Sequence, residues 1–311
     1  MTDYDDLIKQ LGTLGTEQVN PDTIDIDRLS AEEIARKINA EDHKVADVVQ
    51  AALPSIAKAA EIFADTLRQG GRVFYVGAGT SGRLGVLDAA ECPPTFGTDP
   101  AQIVGVISGG YDTLVLSQEG VEDRREAAVS DLQNHNLNEK DFVIGIAASR
   151  RTPYTLAGLQ YAQTIGARTA YIICNHPDQA CASDVVIKKL DVLISLPVGP
   201  EVITGSTRMK SGSVQKMTLN AISTTAMVLL GKTYGNLMVD LQARSEKLHA
   251  RSRKILMDLC QLNMDAAKSL LKDSGGSVKT AIVMHKLECT REEAIERLKA
   301  AEGFVSRIDN A

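Results

Sequence analysis

The chain has 311 residues, of which 44% are hydrophobic and 24% are charged, and its formal net charge is −6 at pH 7. This length allows one large domain with smaller appendages, or two domains, in a chain of ordinary globular composition. The acidic charge, the aromatic content of 4% and the lack of tryptophan argue against nucleic acid or an anionic membrane as the main partner.

The N-terminal segment is acidic and lacks the apolar core of a signal peptide, and no apolar stretch reaches the length of a membrane span. We therefore expect a cytoplasmic protein without a membrane partner. The five cysteines and five histidines are scattered, with neither a C-x-x-C pair nor closely spaced histidines. This distribution predicts neither a metal site nor a disulfide framework.

Helical patterns dominate the first part of the chain. Ser30 and Glu33 match a capping box, which predicts a short helix that residues 39–42 interrupt or cap. A second helical pattern covers residues 43–69, with a kink or break at Pro54.

After residue 70 the chain alternates between strand and helix patterns. This rhythm predicts a parallel sheet with helices on both faces, the α/β class. Ligands bind such sheets beyond the carboxyl ends of the strands. The predicted strands cover residues 73–76, 103–107, 142–146, 169–174 and 191–196; the predicted helices cover 82–90, 119–133, 153–165 and 206–231, and shorter helices follow at 264–271, 277–287 and 290–301.

The first strand leads into a glycine-rich loop that contains Thr80 and Ser81. Its glycines match the G-x-G-x-x-G pattern of dinucleotide sites, but the next strand ends in residues 108–110, Ser-Gly-Gly, instead of the acidic residue that such a site needs. Backbone N–H groups at a helix start, joined by two hydroxyls, favour phosphate. A tight turn without a ligand is the alternative.

Two further loops carry hydroxyl groups into a helix. Ser149 and Thr152 follow the third strand, and residues 204–210 open a later helix. Each loop is also compatible with ordinary helix capping. If the loop of Ser149 and Thr152 lies beside the first loop, the two form a phosphate clamp.

Glutamates are the candidates for acid–base chemistry. Glu91 ends the helix after the first loop, and Glu119 and Glu122 open the helix after the second strand. A glutamate in the first turn of a helix is more often a solvated partner of the helix dipole. Two glutamates that face one pocket would offer an acid and a base.

Several longer strings go beyond these patterns. Residues 77–97 combine the glycine loop with Glu-Cys-Pro-Pro at 91–94, and residues 199–206 read Gly-Pro-Glu-Val-Ile-Thr-Gly-Ser. Further strings lie at residues 119–123, 145–149, 151–154, 208–210, 235–240 and 246–249. Together they resemble the N-acetylmuramic acid 6-phosphate etherases of the sugar isomerase (SIS) superfamily over nearly the whole chain.

The resemblance implies a parallel three-layer SIS sandwich at residues 51–250, with an N-terminal helical extension at 1–50 and a C-terminal helical subdomain at 251–311. It implies a cytoplasmic homodimer without metal or redox cofactor. Such an enzyme cleaves the lactyl ether of N-acetylmuramic acid 6-phosphate, giving N-acetylglucosamine 6-phosphate and D-lactate in cell-wall sugar recycling. By motif, Glu91 is the proton donor and Glu122 the second catalytic carboxylate. The implied phosphate ligands are Thr80, Ser81, Ser149 and Thr152.

Four features depart from the family pattern and bear on substrate affinity more than on fold. Arg150 stands where glycine is usual, Val19 and Ser245 replace an expected Arg and Asn, and residues 176–190 form a longer connection than usual. A positive φ at Arg150 would cost about 1–2 kcal/mol. With a negative φ, its guanidinium would reach the phosphate or crowd it.

Two other functions fit the same scaffold. An aldose–ketose sugar-phosphate isomerase would form a ketose without lactate, and a catalytically silent sugar-phosphate sensor would bind its ligand without turnover. The two carboxylates and the lack of a DNA-binding appendage disfavour the sensor.

Overall fold

The computed structural model describes residues 12–149, 151–176, 185–241 and 246–308. The expectations for Arg150 and Ser245, and most of the connection after His176, lie outside these ranges. The chain divides into two compact units, one built from residues up to Ala89 together with Ile103–Ile222, the other from Ala90–Gln102 together with residues from Ser223 onward. The three-part division into extension, SIS domain and C-terminal subdomain stays a prediction.

One continuous helix, α1 (Ala31–Arg68), precedes the sheet. The predicted capping box is confirmed, since the Ser30 hydroxyl accepts the Glu33 N–H and the Glu33 carboxylate accepts the Ser30 N–H. The predicted interruption near residues 39–42 was wrong, and so was the alternative of a break into two helices at Pro54, because one helix runs through both positions. Pro54 is exposed, and a stripe of apolar side chains continues past it on the buried face, so packing offsets the proline's cost of about 3 kcal/mol.

Five parallel strands form the sheet of the first unit, in the order β2-β1-β3-β4-β5. The strands are β1 (Val73–Gly77), β2 (Ile103–Ile107), β3 (Phe142–Ala147), β4 (Arg168–Ile173) and β5 (Val192–Ser195). All residues of β1 and β3 are buried, because helices cover both faces. The predicted α/β fold, a parallel-sheet SIS sandwich with helical extensions, is confirmed. After β1 the chain adds β2 on one side and then β3 on the other. The loops after β1 and β3 therefore lead to opposite faces of the sheet and leave a crevice between them, the switch point at which ligands bind in such sheets.

The helices of this unit largely follow the predicted pattern. They are α2 (Gly79–Phe96), α3 (Arg125–Asn134), α4 (Pro153–Thr164), α5 (Val185–Lys188) and α6 (Lys210–Leu229), and α2 extends beyond Ala89 into residues of the second unit. The helix predicted for 119–133 begins six residues late, because Gly120 adopts a left-handed conformation with φ of 74° and Arg124, with ψ of 89°, is not helical. Glu119 and Glu122 therefore precede α3, and Glu122 lies in a short 3₁₀ turn, Val121–Asp123.

The second unit is mainly helical. A two-stranded antiparallel pair, β6 (Thr233–Tyr234) and β7 (Leu237–Met238), precedes the helices α7 (Glu246–Cys260), α8 (Met264–Asp273), α9 (Val278–Leu287), α10 (Arg291–Ala300) and α11 (Val305–Ile308). Thr290 and Glu293 form the predicted capping box of α10. The described helices of the chain include none that is long and apolar enough to cross a membrane.

Close packing of α2 on β2 depends on Gly105. A Cβ at this position would lie 2.6 Å from the Val86 Cα, a backbone atom that a side-chain rotation cannot move. We expect Gly105→Ala to lower the free energy of unfolding by about 1–3 kcal/mol, measured by urea denaturation. Gly212→Ala is the control, since its Cβ would meet Thr80 Cγ2 at 3.4 Å and the Thr207 carbonyl oxygen at 3.9 Å, both ordinary contacts. Equal stability of both variants would contradict this account.

Candidate active site

A cavity of about 300 Å³ opens at the switch point of the sheet. The loops after β1 and β3 form one side of it, through Ala78–Ser81 and Ala148, Ser149 and Thr152. The segment between β2 and α3 also lines it. All four residues predicted to bind phosphate therefore lie in one cavity.

The first loop presents backbone donors more than hydroxyl donors. Thr80 is half-buried, whereas Ser81 is buried and donates its hydroxyl proton to Gln215 Oε1 at 3.0 Å. The first N–H groups of α2 have no partner within the helix, as at any helix start. An anion in the cavity would meet these N–H groups and the positive end of the helix dipole.

A buried cysteine lies behind this contact. Gln215 Nε2 donates to Cys174 Sγ at 3.6 Å, and burial raises the pKa of the Cys174 thiol to about 12. The thiol is therefore neutral at neutral pH and is not a nucleophile.

The second loop leaves a hydroxyl group available. Thr152 is the N-cap residue of α4, but its side chain makes no capping hydrogen bond, and Pro153 occupies the first helical position. Ser149 Oγ accepts the Arg151 N–H at 3.4 Å and keeps its own proton for another acceptor. Ordinary capping thus does not account for Thr152, and both hydroxyls line the cavity.

The third loop differs from its predicted arrangement. Helix α6 begins at Lys210 instead of residue 206, because the buried Glu201 carboxylate accepts the N–H groups of Lys210 and Ser211, each at 2.9 Å. Lys210 is buried and paired with Glu41, so it does not lie on a solvated turn, as ordinary capping of this loop would allow. Of this loop, Thr207 reaches the cavity.

The two predicted catalytic glutamates occupy different environments. Glu122 is half-buried and lines the cavity, and its turn is fixed by a hydrogen bond of 2.6 Å from Ser108 Oγ to the Val121 carbonyl. Glu119 also lines the cavity but is exposed. Glu91 is exposed in α2, about three turns after Thr80, and is not among the described residues that line the cavity.

Two charged cavity residues were missed by the sequence analysis, Glu17 and Arg83. Glu17 belongs to a segment held by distant contacts, since the Thr16 N–H donates to Asn175 Oδ1 at 3.3 Å, and no local pattern indicates this docking. Arg83 had a signal. A basic residue near the start of a helix opposes the helix dipole and so calls for a nearby anion or another role.

Comparison with known proteins identifies the family of the chain. A model of the glucokinase regulatory protein N-terminal SIS domain matches residues 55–163. The N-acetylmuramic acid 6-phosphate etherase from Exiguobacterium sp. is 48% identical over 95% of this chain and 98% of its own length. The etherase from Pasteurella multocida is 49% identical over 94% of this chain and 95% of its own length. The chain belongs to the N-acetylmuramic acid 6-phosphate etherase family. The prediction of an enzyme of this family is thereby confirmed.

A third etherase, from Vibrio cholerae, is 46% identical over 97% of both chains. Among solved structures, a phosphoheptose isomerase from Neisseria gonorrhoeae has 16% identity and a TM-score of 0.46, covering 64% of this etherase-family chain and 98% of that structure. In the described residues, no group of three or more His, Cys, Asp or Glu side chains is placed to hold a metal ion.

Proposed function

We propose that the chain cleaves the D-lactyl ether of N-acetylmuramic acid 6-phosphate with water, giving N-acetylglucosamine 6-phosphate and D-lactate. The observation that supports it best is one cavity that combines two loops suited to phosphate with the half-buried Glu122. The proposal includes a homodimer in the bacterial cytoplasm that uses no metal or redox cofactor. Light scattering after gel filtration tests the dimer.

The phosphate serves as the anchor of the substrate. The N–H groups at the start of α2, with hydroxyls from Thr80, Ser149 and Thr152, supply donors, and Ser81 contributes its N–H while its hydroxyl proton stays with Gln215. Anchoring the far end of the sugar holds carbons 2 and 3 in a fixed position relative to Glu122.

The chemistry follows from the open-chain form of the sugar. Its aldehyde at carbon 1 acidifies the proton at carbon 2, which Glu122 removes as general base. The electron pair is first held as the enolate of the aldehyde. It then forms a double bond between carbons 2 and 3 when the bond from carbon 3 to the lactyl oxygen breaks. Glu91 protonates the departing oxygen, and D-lactate leaves. Water then adds at carbon 3, and a proton returns to carbon 2.

Incubation with N-acetylmuramic acid 6-phosphate, followed by an enzymatic assay for D-lactate, tests the function. In water enriched with oxygen-18, the label should enter the carbon 3 hydroxyl of the sugar and not the lactate. A ketose without lactate would favour an isomerase, and binding without turnover would favour a sensor.

The phosphate clamp predicts a large effect of Thr152→Val. The loss of one hydrogen bond to a charged phosphate should raise KM roughly 10- to 100-fold, from the ~1.5–3 kcal/mol of such bonds, with a smaller change in kcat. Thr155→Val is a matched control on the same helix, because Thr155 Oγ1 is buried without a hydrogen-bond partner. A KM that stays the same in Thr152→Val would remove this residue from the clamp.

A further inference from the structure

The geometry points to Arg83 as the residue that binds the lactyl carboxylate of the substrate. This inference rests on the proposed function and extends it to the group that distinguishes the substrate from N-acetylglucosamine 6-phosphate. The substrate has two anionic groups, and the two loops described above account for the phosphate alone. A second binding site is needed for the carboxylate.

More acidic than basic side chains line the cavity. Three carboxylates line it, from Glu17, Glu119 and Glu122, and Arg83 is the basic side chain among the described lining residues. A substrate carboxylate that enters beside glutamates is repelled, most strongly where water is excluded. A guanidinium can offset this repulsion through its positive charge and a charge-assisted hydrogen bond to the carboxylate.

Arg83 has no acidic partner of its own among the described residues. Its Nε donates to the Leu114 carbonyl at 3.2 Å, and its Nη2 donates to the Thr113 carbonyl at 2.5 Å and to Ser117 Oγ at 3.2 Å. These acceptors are neutral. A guanidinium has five N–H donors, and within the described part of the chain those on Nη1 have no hydrogen-bond partner. The half-buried side chain therefore keeps both its charge and a pair of donors for a ligand.

The position of Arg83 suits the chemistry at carbon 3. Its contacts hold residues 113–117, and Glu122 lies five residues further along the same segment. The lactyl group is attached to carbon 3, next to the carbon that loses its proton to Glu122. A carboxylate on that group must therefore lie near the segment that Arg83 contacts.

Two uncleavable ligands test the inference. N-acetylmuramitol 6-phosphate lacks the aldehyde, so its carbon 2 proton is not acidic, and its lactamide counterpart has the same size without the negative charge. Calorimetry should show that the unmodified protein binds the carboxylate form about 10- to 100-fold more tightly than the amide. In Arg83→Gln this preference should fall to within about twofold, with amide binding retained.

Three outcomes would overturn the inference. In the first, the unmodified protein binds both ligands equally. In the second, Arg83→Gln keeps both the preference and the affinity. In the third, Arg83→Gln weakens the binding of both ligands by the same factor, which would assign Arg83 to the phosphate or to holding the loop alone. Arg83→Lys, which keeps the charge, should retain part of the preference and is informative if Arg83→Gln does not fold. Ser117→Ala removes one loop contact without removing the cation and should keep the preference. D-lactate release by the unmodified protein tests the proposed function separately.

Discussion

Glu122→Gln is expected to lower kcat for D-lactate release by about 10²- to 10⁴-fold, the usual contribution of a general base. Glutamine keeps the size of the side chain and cannot accept a proton from carbon 2. The Ser108 contact to the backbone of Val121 does not involve the Glu122 side chain, so the turn should stay in place. KM should change little, because the phosphate ligands are intact.

Glu119→Gln is the matched control. Both glutamates line the cavity, but Glu119 is exposed and precedes the left-handed Gly120, whereas Glu122 is half-buried in a fixed turn. Only a carboxylate in a fixed position can be aligned with a proton of the anchored substrate. We expect Glu119→Gln to keep kcat within a few-fold. Near-normal turnover by Glu122→Gln, or an equal loss in both variants, would contradict the assignment.

Glu91→Gln tests the second half of the acid–base pair. We expect kcat for D-lactate release to fall by about 10²- to 10⁴-fold. The step that slows should be the departure of the lactyl oxygen, which Glu91 no longer protonates. Incorporation of solvent deuterium at carbon 2 would then continue while D-lactate release stops. Loss of both signals would instead assign Glu91 to substrate binding or to the fold.

The sheet was predictable because its signal is local. Each strand is a short apolar run between turn residues, and burial on both faces makes such runs continuous, as in Val73–Gly77. A kink or break of α1 was expected at Pro54 because proline is a strong local helix breaker. Its exposed position, which allows the helix to continue, is a tertiary property.

The juxtaposition of the loops after β1 and β3 was predictable for a similar reason, since the ends of neighbouring parallel strands meet at one edge of the sheet. Glu17 was missed because a contact between distant parts of the chain, from the Thr16 N–H to Asn175, holds its segment. Arg83 was missed although it follows the first loop directly in α2. The start of α3 was misplaced because Gly120 and Arg124 end the helical pattern through backbone conformation, while the side chains of Glu119 and Glu122 suit a helix start.

Lys210→Met is expected to lower the free energy of unfolding by about 3–5 kcal/mol, the cost of breaking a buried ion pair. Lys210 and Glu41 are 1% and 2% exposed, and their ion pair joins the start of α6 to the middle of α1. Methionine fills a similar volume but leaves the buried Glu41 carboxylate with only the partly exposed Lys44, at 2.6 Å, as a partner. Urea denaturation at neutral pH measures the loss.

The pH dependence of stability identifies the carboxylate involved. Burial alone would raise the pKa of Glu41, but hydrogen bonds from Lys210 and Lys44 outweigh it, and the pKa is lowered from its ordinary value of 4.5. A carboxyl whose folded-state pKa is lowered contributes stability above pH 4.5, and this contribution is lost as pH falls through the lower folded value. Glu41→Gln should therefore lose stability at neutral pH and show a weaker further loss in acid than the unmodified protein.

Arg208→Met separates the ion pair from a general effect of removing a positive charge. Arg208 is exposed two residues before Lys210, so its replacement should change stability by less than about 0.5 kcal/mol. The ion pair also affects the cavity, because α6 carries Gln215, which accepts the Ser81 hydroxyl proton in the first phosphate loop. A shift of the start of α6 in Lys210→Met should raise KM while the protein is still folded. Full stability in Lys210→Met would mean that Lys44 alone compensates the Glu41 charge.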